Sequence, residues 1–409
     1  MSLPLSFLLC LLLFSENVLG AILAIDYGTE WTKASLIKPG VPFDVLLDRD
    51  SKRKIHSTVA WKVEDRLFGS DAFNIVSIVT LFIRCGWSSN SFHQAARFPG
   101  DSFSFLKNIQ GVKFESEQVS FQKSISGVEL VPSSRGTVNL QRADANQTVW
   151  SVEELIAMQF AYVKELAESV TGEAPGTVRD VVIAVPPYLT QFERDAVVDA
   201  VEIAGLKLVA LVHDGTAIAL NYAMTRTFPT PEWHVIYDAG AGGIRATVVG
   251  LSTTTSESKS GKSSGDATQL TVAGVGFDRG AGGLEIDRRI RDLLADEFEK
   301  QHGRSIRGDR RGMAKLLKEA GRIKAILSAN TEAISTVESV AFDLDLRTRL
   351  SRATLESICD DLKSRFAAPV RIAIAKSGLS VENITSVILA GGHSRVPMVQ
   401  AALKSAVGE

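Results

Sequence analysis

An α/β fold made of two similar halves is predicted by three observations. Short apolar runs rich in β-branched residues alternate with helical patterns; the alternation runs twice along the chain; and each series opens on an apolar strand that ends in aspartate before a glycine turn. In the first series, 22–25 (Ile-Leu-Ala-Ile) reads as a strand and 152–170 as a helix. A strand follows at 181–185 (Val-Val-Ile-Ala-Val), a helix at 192–204, a strand at 208–212 and a helix at 217–224. In the second, strands at 234–237, 245–251 and 269–273 precede long helices at 284–302 and 313–327, and a strand at 386–389 leads into a last helix. Between two of these strands, 252–268 is dense in Ser, Thr, Gly and Lys and reads as an exposed hairpin tip.

Composition narrows the function classes. The 409 residues carry 45 Lys+Arg against 47 Asp+Glu, a formal charge of -2, and 45% hydrophobic residues, which is enough for two or three cored domains. Disorder and a small disulfide-stapled scaffold are excluded, and the surface charge does not suit a polyanion, so nucleic acid is not an expected partner. Residues 3–14 are almost uninterrupted Leu and Phe, shorter than the roughly 20 apolar positions a membrane-spanning helix needs and suited to a signal-peptide core. Cleavage before Ala21 would make 1–20 a leader, direct the chain into the secretory pathway and leave Cys85 and Cys359 as its cysteines, with no disulfide framework implied. Two sequons, at Asn146 and Asn383, are candidate glycosylation sites, the first in a polar stretch.

The chemistry lies in the turns. Ala24-Ile25-Asp26-Tyr27-Gly28-Thr29-Glu30 offers a glycine that lets a phosphate approach the backbone and permits positive φ, a hydroxyl donor at Thr29, and an aspartate able to hold magnesium through water. About two hundred residues on, Tyr237-Asp238-Ala239-Gly240-Ala241-Gly242-Gly243 repeats the design. Two such hairpins facing each other from two halves can clamp one nucleotide's phosphates. A third element, Leu389-Ala390-Gly391-Gly392-His393-Ser394-Arg395, is a buried strand with a double-glycine turn that admits an adenosine ring, with Arg395 placed to stack on the base.

These three elements, in this order and spacing, resemble the nucleotide-binding domain of the seventy-kilodalton heat-shock chaperone family, and the likeness covers nearly all of 21–409. It implies an actin-like, ribonuclease-H-type fold of two lobes, expected at 21–227 and 228–409, that binds ATP or ADP with Mg2+. The stretch Val185-Pro186-Pro187-Tyr188 with Arg194, and Ala204-Gly205-Leu206 through Asp214 and Thr216, are similar to the family's first interlobe connection. Gly282-Gly283-Leu284-Glu285 resembles its adenosine-side helix entry, and Lys324 with Ser328 its adenine-ribose helix. The resemblance thus assigns nucleotide contacts to Asp26, Gly28, Thr29, Glu30, Asp238, Gly240, Ala241, Gly242, Gly243, Gly282, Gly283, Lys324, Ser328, Gly391, Gly392 and Arg395. It assigns the metal to Asp26 and Asp238, and residual hydrolysis to Lys107 and Asp214.

Departures fall on the hydrolytic machinery. Where the family usually has threonine and, two residues later, aspartate, this chain has Gly243 and Arg245; Asp214 replaces a glutamate, and Glu30 a threonine. A cation at 245 attracts phosphate and repels magnesium, so weak or absent ATP hydrolysis is expected. Lys107 matches the family's catalytic lysine in a region of otherwise poor likeness, where a solvated surface lysine is the alternative. The pattern most resembles the family's large glucose-regulated branch of the endoplasmic reticulum lumen. That implies a nucleotide-exchange partner of the conventional lumenal heat-shock seventy chaperone, which also holds unfolded polypeptides through a downstream region. An autonomous ATP-hydrolysing chaperone and a small-molecule kinase of the actin-like superfamily are the alternatives.

Two features stand apart. The resemblance breaks at Ile75 and resumes at Ala95, and 76–94, whose codons can carry donor-, branch- and acceptor-like signals, reads as a retained intron rather than a loop insertion. Uniform inclusion of the segment in transcripts would reject that reading. The sequence also stops at Glu409, within the helix after the third motif, which predicts a C-terminally truncated second lobe.

Overall fold

The computed structural model describes residues 21–38, 44–62, 64–74, 99–172, 174–255 and 266–408. The leader, the segment 76–94 and the centre of the Ser/Thr-rich tip lie outside the described residues.

Two sheets are built on the same plan. The first contains β1 (Ile22–Tyr27), β2 (Trp31–Ile37), β3 (Ile55–His56), β4 (Asp180–Val185) and β5 (Lys207–His213), in the order β5-β4-β1-β2-β3. The second contains β6 (Glu232–Ala239), β7 (Ile244–Thr255), β8 (Asp266–Asp278) and β9 (Ser386–Ala390), in the order β8-β7-β6-β9. In each, an aspartate-bearing strand runs antiparallel to its hairpin partner and parallel to a strand from much later in the chain. The register coincides as well: Asp26 lies opposite Lys33 on one side and Ala184 on the other, and Asp238 opposite Arg245 and Ala390.

Alternation along β1 turns Leu23, Ile25 and Tyr27 into the core and leaves Asp26 exposed. One large apolar cluster draws on residues between 21 and 206, another on residues between 235 and 403. The two-lobed, actin-like α/β fold implied by the sequence is therefore the fold observed, with further small sheets on the lobes.

Local chemistry fixes the helix starts. Ser151 and Glu154 form a capping box at α1 (Val152–Thr171), and Thr190 and Glu193 form another at α2 (Gln191–Ile203). Helix α3 (Asp214–Ala223) begins three residues earlier than its apolar run suggests and packs Ala219 on Ile236 and Val249 of the second sheet, so it bridges the lobes. Then come α4 (Gly283–His302), α5 (Arg310–Ala329), α6 (Lys363–Ser377) and α7 (Pro397–Val407). Strands β7 and β8 run on into the stretch read as a tip, pairing as far as Thr255 with Asp266, because the threonines there suit a ladder.

Both sequon asparagines are exposed, although the Asn383 amide oxygen accepts from the Ser380 backbone N–H at 2.9 Å. Cys359 is buried as a free thiol. Among the described residues no helix is long and apolar enough to cross a membrane.

Candidate functional site

The two hairpin turns have the same closure. In the first, Gly28 N–H donates to the Trp31 carbonyl at 3.1 Å; in the second, Gly240 N–H donates to the Gly243 carbonyl at 3.0 Å. Gly28 is not at positive φ; glycine is required there by close approach, since a Cβ would lie 2.3 Å from the Trp31 carbonyl oxygen. Ser57 holds the first turn by donating from its hydroxyl to the Gly28 carbonyl at 2.7 Å and from its backbone N–H to the Glu30 carbonyl at 2.9 Å. The second turn is held by the start of α4: Gly283 and Leu284 N–H donate to the Gly240 and Ala241 carbonyls, each at 3.0 Å.

Between the lobes lies a cleft of about 2130 Å³. Asp26, Gly28, Thr29 and Glu30 line it from the first turn, and Asp238, Gly240, Ala241 and Gly242 from the second. Lys107, Asp214, Gly283, Lys324, Gly391, Gly392 and Arg395 line it too. The structure thus brings most of the residues read from the motifs into one cavity. Gly243, Gly282 and Ser328 stand behind its wall: a Cβ on Gly282 would lie 2.3 Å from the Ala241 carbonyl oxygen, and the Ser328 hydroxyl donates to the Lys324 carbonyl at 2.8 Å. The turns also meet each other, because a Cβ on Gly242 would fall 2.3 Å from the Thr29 hydroxyl and 2.5 Å from Asn108 Oδ1.

The floor of the cleft is densely charged. Lys33 Nζ donates to Asp26 Oδ2 at 2.8 Å. Arg245 pairs with Asp238 through one terminal nitrogen and approaches Asp214 with the other at 3.3 Å, joining β7 to α3. Burial opposes the Arg245 charge, yet Asp238 and Asp214 hold its pKa above the ordinary arginine value. Lys107 is only 9% exposed, so it is not a surface lysine; its ammonium donates to the Tyr27 carbonyl. Burial pulls its pKa below the lysine range, against the opposing pull of Asp214.

At the other end, Lys324 Nζ donates to Asp287 Oδ2 at 2.6 Å and to the Gly283 carbonyl at 3.1 Å. Burial raises the pKa of both Asp287 and Glu30, partly offset by Lys324. Arg395 is exposed on the cleft rim, open to a stacking partner.

The sequence reading missed Lys33, Asn108, Asp287 and His393. Lys33 had a usable signal, since it follows Asp26 at the same interval at which Arg245 follows Asp238.

The cleft presents two glycine turns and several basic side chains to whatever lies between them. The magnesium expected at Asp26 and Asp238 fits less well, because each carboxylate already has a basic partner.

The chain is similar to known proteins over most of its length. The family model described as Hsp70 protein matches residues 88–409. The chain is 35% identical over 386 residues to heat shock protein 70 homolog lhs1 of Schizosaccharomyces pombe, an overlap covering 94% of this chain and 43% of that protein. It is 37% identical over 404 residues to hypoxia up-regulated protein 1 of Xenopus laevis (97% and 58%), and 34% identical over 405 residues to that of Homo sapiens (95% and 37%). The chain therefore spans well under two thirds of the length of these relatives.

Proposed function

The chain belongs to the Hsp70 family, and on that premise we propose that its two lobes bind ATP or ADP as the nucleotide-binding part of a chaperone of the endoplasmic reticulum lumen. The observation that carries the proposal is the pair of matched acidic hairpins, equivalent in closure and register, lining one cleft from opposite lobes. Gly28 and Thr29 on one side, and Gly240, Ala241 and Gly242 on the other, face the phosphates. Gly391, Gly392, Lys324 and Arg395 bound the nucleoside end.

Turnover is weak or absent in this reading. Lys107, held by the Tyr27 carbonyl, and Asp214, beside Arg245, are the groups left to orient a water, and Arg245 stands against the metal the family uses. A protein that binds nucleotide without cycling quickly suits an exchange partner, which opens a conventional lumenal heat-shock seventy chaperone and speeds its ADP release. Holding of unfolded polypeptides belongs to the same proposal for the whole protein. The apolar run 3–14 supports entry into the lumen.

Single-turnover measurement on bound ATP tests the reading. Retained ATP, together with faster release of labelled ADP from a conventional lumenal chaperone, is expected. Hydrolysis at the rate of conventional family members would favour an autonomous chaperone instead, and ADP formation dependent on an added sugar would favour a kinase.

A further inference from the structure

The charges on the cleft floor balance without a metal. Three carboxylates, Asp26, Asp214 and Asp238, stand among three cations, Lys33, Lys107 and Arg245, and the groups are close enough that Asp214, Arg245, Asp26 and Asp238 all act on Lys107. Two of the cations occupy equivalent positions, opposite the aspartate across each hairpin. The Arg245 guanidinium lies against the second turn: a Cβ on Gly240 would sit 3.5 Å from one of its terminal nitrogens, and its buried Nε has no hydrogen-bond partner. Neither Asp214 oxygen has a hydrogen-bond donor, so the Arg245 contact at 3.3 Å is an ion pair that can be exchanged without breaking a tight bond.

A magnesium ion at a nucleotide site neutralises phosphate charge and is held by carboxylates free to order its water shell. Here the two hairpin carboxylates, Asp26 and Asp238, each already face a basic side chain from the same hairpin, and a phosphate that displaces either carboxylate meets that cation in its place. Guanidinium groups bind phosphate oxygens through paired N–H donors, and lysine binds them as a point charge.

We propose that this cleft binds the phosphates of an adenine nucleotide without magnesium, with Lys33 and Arg245 as built-in counter-ions, one supplied by each hairpin. The proposal rests on the nucleotide reading above and adds that the affinity is independent of the metal. It also accounts for Arg245 at a position where a carboxylate would serve a metal-dependent enzyme.

Calorimetric titration of the whole chain with ADP, once in excess MgCl2 and once in excess EDTA, is the test. The dissociation constant is expected to change by less than about fivefold on chelation. A larger loss in EDTA overturns the proposal while leaving nucleotide binding intact; no binding in either buffer overturns the nucleotide reading and this proposal with it. Lys33→Met, at a half-exposed position where folding is not at stake, is expected to weaken binding in EDTA by roughly tenfold or more, the loss of one close charge pair. Unchanged affinity in that variant also counts against it.

Discussion

His393 stands where the cleft meets the second core. It is buried, edge-on to Phe366 with ring centroids 5.6 Å apart, and near Lys324. Burial, helped by Lys324, lowers its pKa to about 3 from an ordinary 6.5, so the ring is neutral in the folded chain at any physiological pH. The unfolded chain takes up this proton near pH 6.5 and the folded chain only near pH 3. Between those limits the unfolded state binds more protons, and this residue makes stability rise with pH, by up to about 1.4 kcal/mol per unit. His56, lowered to about 4 mainly by burial, acts in the same direction, while Asp287 and Glu30, both raised, act oppositely above their unfolded values. Comparison with His393→Asn isolates the one contribution: urea unfolding from pH 4 to 6.5 should give a flatter dependence in the variant. An equal slope in both would mean that the ring is not held neutral.

Among the elements, β8 shows what a glycine pair does away from a ligand. Gly274 and Gly276 lie under α6; a Cβ on Gly276 would fall 2.1 Å from the Pro369 carbonyl oxygen, and one on Gly274 2.1 Å from that of Ala373. Gly276→Ala is therefore expected to cost about 1–3 kcal/mol by forcing helix from sheet. Gly321→Ala, in the interior of α5 where a Cβ would lie 3.9 Å from Asp287 Oδ1, is expected to gain close to 1 kcal/mol. Denaturant midpoints check the pair, and a stabilising Gly276→Ala would refute the packing.

The same scale explains which elements could be read in advance. Helix α1, the two aspartate-bearing strands and β7 were legible because capping residues or apolar runs mark them, whereas β2, in which polar residues alternate with apolar ones, was not. Helix α6 was not, since Pro369 sits inside it and breaks the expected pattern. The hairpin of Glu332–Ala341 with Leu344–Ser351 was also missed: its turn uses Phe342 and Asp343, both at positive φ, in place of the Asn-Gly that usually marks such a turn. In the site, the acidic turns were legible, whereas the burial of Lys107 and the pairing of Arg245 with Asp214 depend on how the lobes meet.

For the whole molecule, the lobes are tied at several points around the cleft. Arg279 donates to Glu193 at 2.6 Å in a pair with a buried carboxylate, Tyr188 contacts Phe277 with centroids 5.1 Å apart, and Lys318 Nζ donates to Asn74 Oδ1 at 3.2 Å. Arg291 reaches the Ser124 carbonyl from α4. With these ties in place, the Thr29 and Gly242 turns lie against each other, so a ligand held by one is in reach of the other. The proposed function requires both turns to hold a single polyphosphate. Amide hydrogen exchange with and without ADP measures it most directly: peptides spanning 27–33 and 238–245 should slow together, at the same nucleotide concentration. Protection of one hairpin with no change in the other would contradict it.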